Sequence, residues 1–90
     1  KTLEGGIVMK DLQLEIVSPE KILYNDTIGL VEVPGQRGRF TVLRNHAPII
    51  SALTAGSIRV QGKTGTEYIF ECKSGYLECN NNKVTILINN

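Results

Sequence analysis

Apolar residues recur at every second position through most of this chain. Leu12, Leu14 and Ile16 alternate with Gln13, Glu15 and Val17, a period that puts one side of a strand in a core and the other in water. The run ends at Ser18-Pro19. Glu20 to Tyr24 extends a strand or makes one turn, and Asn25-Asp26 reads as a tight turn. Thr27 to Val33 is β-rich and mostly apolar, the pattern of a central strand, with Pro34-Gly35 as its stop and a type II turn signal. Phe40 to Leu43 and Ile49 to Leu53 are short strands on either side of Asn45-His46-Ala47-Pro48. Ser57 to Gln61 alternates, Gly62-Lys63-Thr64-Gly65 is a hairpin loop, and Glu67 to Lys73 answers it. Ser74-Gly75 marks a bend or bulge at which glycine lets the strand change direction. Tyr76 to Cys79 continues, Asn80-Asn81-Asn82 is a turn of residues that tolerate left-handed angles, and Val84 to Ile88 alternates again.

No stretch from Asp11 onward carries a helical period. The expected fold is all-β, a flattened β-sandwich of about 8–10 short, mainly antiparallel strands. Ninety residues make one domain, large enough for a core without staples. Residues 1–8 stand apart: Lys-Thr-Leu-Glu-Gly-Gly precedes an internal Met9. The expectation is that they are a fusion remnant or a flexible extension, and that the domain occupies 9–90.

Composition narrows the function. The formal net charge is +1, so there is no electrostatic footprint for nucleic acid. Tyr68 and Phe70 are flanked by Glu67 and Glu71, which makes them core aromatics rather than a stacking platform for bases. Cys72 and Cys79 read as reduced, small core residues, with a local disulfide as the second reading. Two Cys and one His do not form a zinc ligand set. No cofactor is implied. The single His, His46, has no Gly-x-Ser-x-Gly elbow to work with, and no acidic pair sits at a spacing suited to acid–base work. No catalytic residue is assigned.

What remains is a protein that acts through its surface, and the two structured loops between Val33 and Ser51 are the candidates. The basic tip Arg37-Gly38-Arg39 also reads as solubilising charge. His46 also reads as a residue that locks its loop by bonding nearby backbone. A free-standing β-sandwich module for a small ligand or carbohydrate is the alternative, and it needs an aromatic-lined pocket. With three Tyr, two Phe and no Trp, the sequence offers little to line one.

Taken in order, the blocks Leu14-Glu15-Ile16-Val17-Ser18-Pro19-Glu20, Val33-Pro34-Gly35-Gln36-Arg37-Gly38, Asn45-His46-Ala47-Pro48-Ile49-Ile50, Gly56, Ser74-Gly75-Tyr76-Leu77-Glu78 and Val84-Thr85-Ile86-Leu87 resemble the epsilon subunit of bacterial F-type ATP synthase. The resemblance implies a β-sandwich without catalytic residues, working in the central stalk. It implies the gamma subunit and the c-ring as partners, and coupling of ion flow to ATP synthesis. It places the protein peripherally on the cytoplasmic face of a bacterial inner membrane, without insertion. Carried over position by position, Ser18, His46, Ala47, Pro48 and Ser51 fall on the gamma side. Gln36, Arg37, Gly38 and Arg39 fall on the c-ring side.

The chain departs from the family pattern in two places. Many members carry acidic residues where this chain has Arg37 and Arg39, and Lys73-Ser74-Gly75 has one glycine fewer than is common. Many members also have a carboxy-terminal helical hairpin, which would begin beyond Asn90. The expectation is therefore that these residues alone neither bind ATP nor inhibit hydrolysis by that arm. An exposed patch meant for gamma would let the isolated chain self-associate.

Overall fold

The computed structural model describes residues 11–90. The expectation for residues 1–8 lies outside them. Eight strands follow in chain order: β1 Leu12–Val17, β2 Ile22–Gly35, β3 Gly38–Leu43, β4 Ile49–Leu53, β5 Gly56–Gly62, β6 Glu67–Cys72, β7 Gly75–Asn80 and β8 Lys83–Ile88. The sandwich expectation holds, with eight strands. All pairings are antiparallel except the parallel pair β1–β8.

β2 organises the sheet. It is a continuous strand of 14 residues and changes neighbours as it goes. Ile22 to Ile28 pair with β1, and Leu30 to Gly35 pair with β3. Its middle pairs with β5 on the other side, with a register irregularity between Ile28 and Leu30. Its last residue, Gly35, meets Leu53 of β4. One group, β4–β7–β8–β1, is thus linked to a second, β3–β2–β5–β6, through a single shared strand.

Two expected turns inside this strand are corrected. Asn25-Asp26 does not turn: the pair lies in β2 opposite Glu15 and Leu14. This half of β2 pairs with β1 alone, and an edge accepts exposed polar residues. Pro34-Gly35 does not turn either. It closes the ladder opposite Arg39 and Gly38, and Gln36-Arg37 make the two-residue turn. Gly35 has no positive φ. It is needed for space, because a Cβ there would lie 2.6 Å from the Gly38 carbonyl oxygen and 2.7 Å from the Phe40 ring.

The inner faces follow the period-2 pattern. Leu12, Leu14, Ile16, Leu77, Cys79, Val84, Ile86 and Ile88 from one group meet Val31, Val33, Val42, Ile58, Val60 and Cys72 from the other, all buried. Removing such side chains from water contributes roughly 1.5–3 kcal/mol each. Among the described residues no polar or charged group is buried. The core is therefore held by apolar contact and backbone ladders.

Both cysteines are free and buried, and burial pushes both thiols up in pKa. A thiol-reactive reagent is expected to label neither Cys72 nor Cys79 in the native chain near neutral pH, and both in urea. A fast-reacting native thiol would contradict this placement.

Three asparagines set the turns. Asn81 (φ 54°) and Asn82 (φ 62°) occupy the two central positions between β7 and β8, the arrangement of a type I′ hairpin. Asn45 (φ 68°) stands third in the turn Leu43 to His46, which closes through a His46 N–H to Leu43 carbonyl bond of 3.1 Å. The two turns clasp each other. The Asn45 N–H donates to Asn82 Oδ1 at 2.6 Å, and Asn82 Nδ2 donates to Asn45 Oδ1 at 3.1 Å.

Candidate interaction surface

Three features of the surface depart from a plain solvated shell. The first is an apolar row across the outside of β1, β8, β7 and β4. Val17 pairs with Leu87, Leu87 with Tyr76, and Tyr76 with Ala52. Their chain neighbours Ile16, Ile86, Ile88 and Leu77 point into the core, so the four share the opposite, outward face. Ile50 joins them from β4, diagonal to Tyr76. Tyr76 is 60% exposed and Ile50 77%. Each is apolar at a position where alternation calls for a polar side chain.

The second feature is an open groove of about 580 Å³ between the β2–β3 hairpin and β4. Gln36, Arg37, Gly38 and Arg39 line one wall, and Ser51 and its neighbours line the other. Ser51 was expected on the gamma side and the hairpin on the c-ring side. The structure brings them into one groove. Ser51 pairs with Leu77 and so faces inward, where its hydroxyl donates to the Ala52 carbonyl at 3.1 Å.

Ser18 lies elsewhere, closing the β1–β2 turn. Its N–H donates to the Lys21 carbonyl at 2.9 Å, and its Oγ accepts from the Glu20 and Lys21 amides at 3.3 Å. The following Pro19 shares a groove with Gln36, Tyr76 and Leu87. That groove is at the edge of the apolar row. His46 is farther along, at the Asn45–Asn82 clasp. Its Nδ1–H donates to the Ala47 carbonyl at 2.7 Å, as a loop-locking residue would. Ala47 and Pro48 beside it are exposed.

The third feature is a charge ladder on the outside of the other group of strands. Glu32 on β2 takes Arg39 Nε at 3.4 Å and Arg59 Nε at 3.0 Å, and Arg59 reaches on to Glu67 at 3.1 Å. Arg39 is therefore held by its own chain. Arg37, at the turn, makes no ion pair among the described residues. The Arg59 hydrogen bond first, and the Arg39 bond after it, hold the Glu32 carboxyl below its ordinary 4.5. A depressed carboxylate adds stability above the unfolded value of 4.5, and that stability is lost as pH falls through the lower folded value. An NMR titration is expected to place Glu32 below 4.5 and to find it moved up in Arg59→Met. An unmoved value would mean the ladder does not hold Glu32 in solution. Solvent screens these exposed pairs, so the effect on overall stability is small.

Tyr68 corrects an expectation. It is 42% exposed rather than core. It tilts against Tyr24 at 5.4 Å between ring centroids, and Tyr24 stands edge-on to Phe70 at 5.8 Å. Phe70 is half-buried against the core. Burial, then Asp26 and Tyr68, push the Tyr24 phenol up in pKa. The groove at the β2–β3 hairpin and the groove at Pro19 carry one aromatic each, Phe40 and Tyr76, which is not the lining of a sugar-binding cleft. Among the described residues no three His, Cys, Asp or Glu side chains gather as a ligand set, and no helix is long and apolar enough to cross a membrane.

Comparison with known proteins places these features in context. The family described as "ATP synthase, Delta/Epsilon chain, beta-sandwich domain" matches residues 11–90. The ATP synthase epsilon chain of Nitratidesulfovibrio vulgaris (strain Miyazaki F) is 40% identical over 78 residues, covering 87% of this chain and 58% of that protein. That of Syntrophomonas wolfei is 38% identical over 74 residues, covering 82% and 54%. The chain thus spans a little over half the length of these relatives. The epsilon chain of Chlorobaculum tepidum is shorter: 36% identity over 78 residues covers 87% of this chain and 89% of that one. Among solved structures, a chain of the Euglena gracilis mitochondrial ATP synthase superposes with a TM-score of 0.84 at 16% identity, covering 97% of this chain and 56% of that one. At that identity the likeness is one of fold.

Proposed function

The chain belongs to the delta/epsilon-chain β-sandwich family of ATP synthases, and from that premise we propose that it serves in the central stalk as a rotor subunit that binds gamma and the c-ring. It takes no part in bond making. It helps couple ion translocation to ATP synthesis by holding rotor parts together, peripherally on the cytoplasmic face of a bacterial membrane.

The observation that carries this reading is the apolar row Val17–Leu87–Tyr76–Ala52 with Ile50 beside it. A contiguous apolar face on a small sandwich marks a docking surface, and aromatic anchors such as Tyr76 are the residues that dominate interface energies. Gamma is placed on this face, with Ser18 at its edge through Pro19. His46, Ala47 and Pro48 flank it along the loop leading into β4, and Ser51, also assigned to gamma, reaches it through the β4 backbone, its side chain facing inward. The turn Gln36 to Arg39 is assigned to the c-ring, with Arg37 as its free charge.

The test is co-purification of the chain with gamma and, separately, with the isolated c-ring. Retention of both is expected. Failure to retain gamma overturns the assignment of the apolar face. Arg37→Glu is the cleaner probe of the c-ring contact. Arg39→Glu would set a carboxylate beside Glu32 and confound docking with a local fold defect. Arg37→Glu is expected to change c-ring binding while leaving gamma binding and melting temperature unchanged.

A further inference from the structure

The groove between β3 and β4 has an uncommon backbone inventory. Among the described residues, β3 pairs with β2 on one side and with no strand on the other. Pro34 has no N–H, and its carbonyl is taken by the Thr54 N–H at 2.9 Å. The Pro34–Arg39 pair is therefore a non-hydrogen-bonded one. By the alternation of antiparallel ladders, Arg39 and Thr41 turn their N–H and C=O groups away from β2, to the unpaired edge of β3, and Arg39 lines the groove. Across from them, β4 pairs with β7 along its length, while its ladder with β2 is the single pair Gly35–Leu53. The Ala52 carbonyl accepts from Gln36 N–H at 3.0 Å, which shows that Ala52 and, two residues away, Ile50 face the groove from that side. Two strand edges with free backbone groups thus border one open slot.

The side chains around the slot alternate as well. Phe40 and Ile49 are half-buried against the core and present apolar surface at its floor. Arg37 and Arg39 stand at its rim. The stretch Arg37 to Arg44 carries Arg37, Arg39 and Arg44 and no acid. Edge-to-edge pairing of two copies would crowd these arginines together, and charged edge strands resist self-pairing for that reason.

We propose that this groove takes an extended polypeptide segment of alternating acidic and apolar residues, which adds to the free edge of β3 as a further strand. Main-chain bonds to Arg39 and Thr41 would hold it. Its apolar side chains would meet Phe40 and Ile49, and a carboxylate would meet Arg37, which makes no ion pair among the described residues, the division of labour seen in strand addition generally. The inference shares the Gln36 to Arg39 turn with the c-ring assignment, but it concerns backbone pairing along β3, which co-purification does not read. Loss of co-purification leaves it intact.

The 90-residue chain is titrated with a blocked octapeptide alternating Glu and Val, and with its Lys–Val counterpart, while amide exchange is followed by NMR. The Glu–Val peptide is expected to slow exchange at Arg39 and Thr41 at least roughly tenfold, the scale of one secured hydrogen bond. The Lys–Val peptide is expected to leave both amides unchanged. Thr41→Pro removes an N–H that faces the unpaired edge of β3 rather than the ladder, and should abolish the effect with the fold kept. Should that variant fail to fold, Arg37→Glu serves instead, weakening the peptide with an unchanged melting temperature. Absence of protection at saturating peptide overturns the proposal. So does equal protection by the Lys–Val peptide, or protection that appears without peptide as protein concentration rises.

Discussion

Tyr76→Glu is expected to reduce capture of gamma at least roughly thirtyfold, the loss that follows when an aromatic anchor worth about 2 kcal/mol or more is removed. Tyr76 sits at the middle of the apolar row, flanked by Leu87 and Ala52 on its neighbouring strands. It makes no ring contact with the Tyr24 cluster, and its side chain is largely in solvent. The variant should therefore keep its urea midpoint within the range of ordinary surface changes, about 0.5 kcal/mol. Leu87→Ser tests the same face with a smaller change and should act in the same direction. Undiminished capture by both variants, measured by pull-down or calorimetry, would mean that gamma docks elsewhere.

Gly75→Ala is expected to be the most damaging single-methyl change in the chain. A Cβ at Gly75 would run into the Leu87 carbonyl oxygen and come within 3.2 Å of its carbon and 3.3 Å of Ile88 Cα. All of these are backbone atoms of β8 in the ladder that Gly75 itself begins. No rotamer change relieves such a clash, so β7 and β8 must separate at the end where Asn89 N–H bonds the Ser74 carbonyl. A loss of about 3 kcal/mol or more follows, at the upper end of overpacking costs, which lowers the melting temperature of a domain this size by roughly 12 °C or more. Gly65→Ala is the comparison. Gly65 has φ of 95° but nothing within 4 Å of an added Cβ, so backbone strain alone acts, on the order of 1 kcal/mol. Equal losses in the two variants would refute the packing account of Gly75.

These two glycines show where sequence reading succeeds and where it stops. Gly65 lies in a loop bounded by polar residues, and its role is visible from composition. A bend or bulge was expected at Ser74-Gly75; the bend falls on Lys73 and Ser74, while Gly75 already belongs to β7 and is needed because another strand passes close by. Pro34-Gly35 is the same case. The dipeptide carries a turn signal, but pairing with β3 extends the strand through it and moves the turn to Gln36-Arg37.

The strands themselves were legible, because alternation is a local property. A residue two positions away lies on the same face whatever the rest of the molecule does. Leu12, Leu14 and Ile16, or Val84, Ile86 and Ile88, announce a buried face without reference to any partner. The left-handed turn at Asn81-Asn82 was legible for the same reason, since few residues accept those angles. What faces what was not legible. The meeting of Ser51 with the Arg37 turn, the Glu32–Arg39–Arg59 ladder and the row from Val17 to Ala52 each join strands far apart in the chain. Such meetings are set by register, and register is a global outcome of core packing.

By itself, then, the sequence determined an all-β domain, the positions that enter its core and, through the order of its motifs, its family. The tertiary structure alone decided that β2 is one strand serving both groups, that Arg39 pairs with Glu32 while Arg37 makes no ion pair among the described residues, and that the outward apolar residues line up as one face. The reason is physical. Core membership follows from side-chain chemistry at each position, whereas a surface is made by residues whose only relation is that the core beneath them has brought them side by side.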